Sequence, residues 1–123
     1  MKRFEGKVAI VTGGTRGIGL GVTKAFLEEG ASVLAAYQSD EKAARAAIEA
    51  LADTNGELRI YQADISDKSS TEQMAAEAVD RWGRVDALVN NAGVFDFGYL
   101  DEMTEEFLNR TLDVNLKGMI FAM

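Results

Sequence analysis

The run VTGGTRGIG at residues 11–19 places glycines at positions 13, 14, 17 and 19, directly behind the apolar stretch Val8-Ala9-Ile10-Val11. A cluster of glycines costs backbone entropy on folding, so something must need to approach this backbone closely. Between a buried strand and a helix start, such a loop aims its amides outward, where the helix dipole favours an anion; phosphate groups are held this way. The spacing Gly13-x-x-x-Gly17-x-Gly19 differs from the commoner G-x-G-x-x-G and lacks the Lys-Ser/Thr ending of an ATP-binding loop. A dinucleotide pyrophosphate is therefore the preferred occupant, with a purely structural tight turn as the competing reading.

Few other side chains can do chemistry. The 123 residues include no cysteine and no histidine, which removes a thiol nucleophile, an imidazole base and the usual zinc ligands, so no metal site is expected. Asp64 follows an apolar run and suits either a ligand-binding role or the capping of a turn before Ser66. Asn90 and Asn91 suit any loop that tolerates left-handed conformations. Asn115 by itself reads as a solvated polar residue on a helix. Phe95, Phe97 and Tyr99 form either a stacking platform or, better, apolar cover over a loop.

The elements that must position these residues alternate between short apolar runs and longer amphipathic stretches, the βαβ signature of a parallel sheet covered by helices. Strands are predicted at residues 7–12, 32–37, 58–63 and 85–90. The unbroken VAIV of the first implies burial on both faces. Helices are predicted from the glycine loop to Gly30, over 41–52 with Ser39 or Asp40 as cap, from Ser66 or Ser69 to Trp82 with Gly83 as stop, and from Thr104 to the last residue. With right-handed crossovers, this β-α-β-α-β-α-β-α order is the first half of a Rossmann-like α/β fold, with strand order 3-2-1-4 and helices on both faces. Residues 1–123 are expected to be the N-terminal part of a single dinucleotide-binding domain.

Thirteen Lys/Arg against twenty Asp/Glu give a net charge of -7, which disfavours a nucleic-acid surface. No stretch reaches the roughly eighteen apolar residues of a membrane span, and the N-terminus is too weakly apolar for a signal peptide, so a cytoplasmic protein is expected.

Taken in order, TGGTRGIG (12–19), Asp64, NNAG (90–93) and Asn115 within DVNLKG resemble the short-chain dehydrogenases/reductases, closest in look to the 3-oxoacyl-[acyl-carrier-protein] reductase and glucose dehydrogenase type. The resemblance covers residues 7–123 and about the N-terminal half of a typical member. It implies an NAD(P)(H)-dependent oxidoreductase interconverting a small-molecule carbonyl and alcohol, and a homo-oligomer. It further implies that Gly13, Thr15, Arg16, Gly17, Ile18 and Gly19 line the pyrophosphate and adenosine ribose. Asp64 and Ile65 would hold adenine, while Asn90, Ala92 and Gly93 would contact the central riboses. Asn115 would match the family's catalytic asparagine, which anchors a water in a proton relay.

Cofactor preference is set at the end of the second strand, where an acid selects NAD. Tyr37 and Gln38 are neutral there, and Arg16 resembles the basic residue facing the 2′-phosphate in NADP-preferring members. NADP(H) is thus favoured and NAD(H) remains possible; Asp40 is a counterweight that a helix-cap role explains equally well. The family's tyrosine base is followed four residues later by a lysine that favours the phenolate. Here Tyr37 is followed at that spacing by Glu41, Tyr61 by Ile65 and Tyr99 by Met103. The 123 residues alone are therefore expected to be inactive, with the fourth strand an apolar edge. The alternatives are a non-catalytic dinucleotide-binding fragment or an assembly module pairing through that strand.

Overall fold

The computed structural model describes residues 2–92 and 104–123. The VAIV run is buried along its whole length in β1 (Val8–Thr12), as a strand covered on both faces must be. It lies inside a four-stranded sheet with β2 (Ser32–Tyr37), β3 (Leu58–Gln62) and β4 (Ala87–Asn90), in the order β3-β2-β1-β4. All pairs are parallel, and Thr12 stands opposite Ala36 on one side and Asn90 on the other.

Alternate residues of β1 serve two cores. Ala9 and Val11 pack with Leu27, Ala31, Val33 and Leu51 on the face covered by α1 (Gly17–Glu28), and Leu51 follows α2 (Glu41–Ala50). Ile10 packs on the opposite face with Leu34, Ala36, Ala63, Met74 and Ala78, beneath α3 (Lys68–Trp82). Leu27, Leu34 and Met74 are fully buried; each contributes about 1.5–3 kcal/mol relative to exposure. The predicted fold class and strand order are therefore those observed.

Several boundaries differ from those predicted, each for a local reason. α2 stops at Ala50 rather than residue 52 because the Thr54 hydroxyl donates to the Leu51 carbonyl at 2.7 Å and turns the chain. α3 is capped by Asp67, whose carboxylate accepts from Ser69 N–H at 3.2 Å; Ser66 is held instead by Asp64. Gly83 ends α3 in the left-handed conformation, φ 78°. β4 begins at Ala87 because Asp86 adds a side-chain bond to its main-chain one: its carboxylate accepts from Val8 N–H and its own N–H donates to the Val8 carbonyl, both at 2.8 Å.

The last predicted helix is three segments. α4 (Glu105–Leu112) runs into a π-helical stretch, Asp113–Lys117, and then α5 (Gly118–Ala122). The Gly118 N–H reaches back to the Asp113 carbonyl, the i→i+5 bond that defines the wider turn. Lys117 Nζ pairs with Asp113 Oδ1 at 3.1 Å across the same stretch. Gly118 lies so close to Ile65 that a Cβ there would sit 2.7 Å from Ile65 Cδ1. No helix among the described residues is long and apolar enough to cross a membrane.

Candidate functional site

The order β3-β2-β1-β4 means that the chain, after building outward from β1, returns to its other side at β4. The carboxyl ends of β1 and β4 then diverge into loops leaving the sheet on either side of a crevice, where open α/β sheets bind ligands. Both loops are tied together. Thr12, at the end of β1, donates its hydroxyl to the Val89 carbonyl (3.3 Å) and accepts from the N–H groups of Asn91 and Ala92, both at 3.1 Å. Asn91 Nδ2 donates to the Gly13 carbonyl at 3.1 Å. On the β2 side, Gly14 N–H donates to the Ala36 carbonyl at 3.2 Å, and the buried Thr23 hydroxyl donates to the Gly14 carbonyl at 2.9 Å. The loop is thereby held by main-chain and side-chain bonds on both flanks.

The glycines divide by what surrounds them. At Gly19 a Cβ would run into the Gly13 carbonyl oxygen and lie 2.5 Å from Asn91 Nδ2, and at Gly14 it would lie 2.8 Å from Thr23 Oγ1. These two are glycines because protein packs against them. Gly17 has φ +57° and nothing within 4 Å of a Cβ position. Its neighbours at the start of α1 carry no side-chain cap and no acidic residue, and the first intrahelical bond runs from Leu20 N–H to the Arg16 carbonyl. The amides of Gly17, Ile18 and Gly19 are thus left at the positive end of a helix dipole.

A cleft of about 390 Å³ opens in front of this loop, within the range of small-molecule sites, about 300–1,000 Å³. Of the predicted site residues, Gly13, Thr15, Arg16, Gly17, Tyr37, Gln38, Ile65 and Ala92 line it. The structure also brings in Ser39, Asn91, Arg110 and Val114, which sequence reasoning did not place there, and Asp40, which it weighed both as a counterweight and as a cap. A second cleft of about 540 Å³ adjoins it through Gln38, Arg110 and Val114 and is edged by Glu105, Glu106 and Asp113.

The other predicted residues stand elsewhere. Gly19 is buried beneath the loop, whereas Ile18 is 81% exposed. Asn90 is exposed at the end of β4. Asp64 is engaged locally, Oδ1 accepting from Ser66 N–H at 3.0 Å and from the Ser66 hydroxyl at 2.6 Å, while its own N–H donates to Ser70 Oγ at 2.9 Å. The turn-capping role considered for Asp64 is therefore present. Asn115 lies inside the π-helical stretch, next to the cleft-lining Val114; such inserted turns recur at functional sites. Gly93, Phe95, Phe97 and Tyr99 fall outside the described residues. No group of three metal-binding side chains occurs among the described residues.

At the end of the cleft beside β2 Arg16 reaches across to Asp40, Nη1 to Oδ2 at 3.1 Å. Asp40 also caps α2, its Oδ1 accepting from Ala43 N–H at 3.0 Å. The cap role open to Asp40 in the sequence is therefore present, and the same carboxylate pairs with Arg16.

The family described as short chain dehydrogenase matches residues 7–123. An uncharacterized oxidoreductase of Methylorubrum extorquens is 41% identical over 122 residues, covering 99% of this chain and 49% of the relative. Elsinochrome reductase 1 of Elsinoe fawcettii is 38% identical over 120 residues, covering 98% of this chain and 45% of the relative. A short chain dehydrogenase from Burkholderia cenocepacia, solved in complex with NADP, superposes with a TM-score of 0.92 at 35% identity, covering 98% of this chain and 49% of that one. The chain spans about half the length of the curated relatives it matches. It belongs to the short-chain dehydrogenase/reductase family.

Proposed function

We propose that this chain carries the adenine-dinucleotide half of an NAD(P)(H)-dependent oxidoreductase site that interconverts a small-molecule carbonyl and an alcohol, with NADP(H) preferred. The observation that carries this reading is the bare start of α1 facing the cleft, with Gly17 open to it. The residues present fit such a group. A pyrophosphate would accept from the amides of Gly17 and Ile18, with Gly13 and Thr15 completing the loop and Gly19 supporting it from beneath. Ile65 would flank adenine and Asp64 would accept from its amino group. Ala92, with Asn90 and Gly93, would meet the central riboses. Tyr37, Gln38 and Arg16 would face the 2′ position. The bound nicotinamide supplies the hydride or accepts it.

Asn115 is proposed to hold a water for proton transfer, which its place beside Val114 supports. The acid–base step needs a phenol with a cation beside it, and none of the three tyrosines is followed four residues on by lysine. These 123 residues are thus proposed to bind the cofactor and leave the proton step to groups they do not include. The relative solved with NADP supports the NADP preference.

Calorimetric titration with NADP and NAD tests the reading. NADP is expected to bind the more tightly, and Gln38→Asp to move the ratio of affinities towards NAD by about tenfold, the scale of one charged hydrogen bond gained and one phosphate repelled. Absence of binding by either dinucleotide would overturn the function, and an unchanged ratio in Gln38→Asp would overturn the assignment of the 2′ position.

A further inference from the structure

We propose that Asp40 is a specificity-determining residue that acts through Arg16: it holds the guanidinium across the adenosine end of the cleft, so that a 2′-phosphate has to displace a carboxylate already paired there. This inference rests on the cofactor reading above and adds an antagonist to it. Arg16 Nη1 lies 3.1 Å from Asp40 Oδ2, and both residues line the cleft together with Gln38 and Ser39 at the end of β2, the place where a ribose 2′ position is met. Asp40 is not a loose partner. Its other oxygen accepts from Ala43 N–H at 3.0 Å, which fixes the carboxylate at the first turn of α2 and leaves Oδ2 facing Arg16.

The two charges cancel locally. A diol at the 2′ position meets a neutral pair, whereas a phosphate meets a cation already shared with a carboxylate that it must displace. Asp40 therefore narrows a preference for the 2′-phosphate that Arg16 alone would make wider. The arginine side chain is 74% exposed and that of Asp40 42%. Such a pair is weakly held, so a phosphate can break it and the penalty is modest.

The test uses the full chain and two probes that differ only in the 2′-phosphate, adenosine 2′,5′-bisphosphate and AMP, titrated by calorimetry. Asp40→Asn keeps an oxygen for the Ala43 cap and removes the charge. It is expected to tighten the bisphosphate by about fivefold and to leave AMP within about twofold. In an Arg16→Ala background the same substitution is expected to change the bisphosphate by less than about twofold, because the held partner is gone. A full effect retained without Arg16 would overturn the proposal, since Asp40 would then act on the phosphate directly. Equal changes for both ligands, or none for either, would overturn it as well while leaving the cofactor reading intact. Heat from neither probe in the parent chain would remove the cofactor reading and this inference together.

Discussion

Each of the helices α1, α2 and α3 starts just past the carboxyl end of a parallel strand, and they differ in how their first amides are satisfied. α2 is capped by Asp40 and α3 by Asp67. α1 has Arg16 at the cap position, with no side-chain cap and no acid in its first turn. A side-chain cap at a helix start is worth about 1 kcal/mol, so the bare start of α1 is a place where stability was left aside. The loop before it is nevertheless braced on both flanks, through Thr12, Thr23 and Asn91. The difference teaches that rigidity and satisfaction have been separated: the loop is fixed by its own bonds while the amides at the start of α1 are left without a side-chain cap.

The largest effect expected from breaking this arrangement is at Gly19. A Cβ there collides with the Gly13 carbonyl, a main-chain group that cannot swing aside, so Gly19→Ala is expected to cost at least about 3 kcal/mol and lower the melting temperature by about 10 °C. Gly17→Ala is the companion measurement. Its Cβ meets open space, so only the strain of φ +57° remains, about 1 kcal/mol. Its main effect is expected on dinucleotide affinity, at least about tenfold weaker by calorimetry, because the methyl group enters the approach to the amides. Equal losses of stability in the two variants would erase the distinction between packed and open glycines.

How far this could be read from residues alone follows from where the interactions run. The buried VAIV strand, the alternation of elements and the helix stop at Gly83 are local signals, and each is present as expected. Ser39 against Asp40, or Ser66 and Ser69 against Asp67, is a choice among neighbouring capping residues that depends on backbone direction at one residue. Thr12 and Asn91 have no local signal, since their bonds join positions 78–80 residues apart. The π-helical stretch is hidden for another reason. Leu108, Leu112 and Leu116 keep a four-residue apolar spacing straight into it, so periodicity predicts one uninterrupted helix. The approach of Gly118 to Ile65 shows how closely the helix meets the β3–α3 loop.

A smaller effect sharpens the same contrast from the capped side. Asp67→Ala removes the oxygen that accepts from Ser69 N–H and is expected to cost about 1 kcal/mol in urea unfolding. Dinucleotide affinity should stay within about twofold, because this cap serves α3 alone. A tenfold loss of affinity would mean that the start of α3 belongs to the binding machinery and that capped and bare helix starts are not functionally distinct.

The smallest effect concerns the far end of β4, which must stay beside β1 if the bare helix start is to face a crevice at all. Thr12 joins these strands at the cleft end, and Asp86 joins them at the other by accepting from Val8 N–H. The Arg84 guanidinium, and then the Val8 N–H, hold the Asp86 carboxyl below its usual value of 3.8. Because the folded-state value is depressed, the stabilisation is present above the unfolded value and is lost as pH falls through the folded one. The difference in urea midpoint between the parent chain and Asp86→Asn is therefore expected to be small but steady near neutral pH, and to shrink below about pH 4. Dinucleotide affinity at neutral pH should not change. A midpoint difference that persists undiminished at about pH 2.5 would mean that Asp86 holds β4 by its shape and hydrogen bonding rather than by its charge.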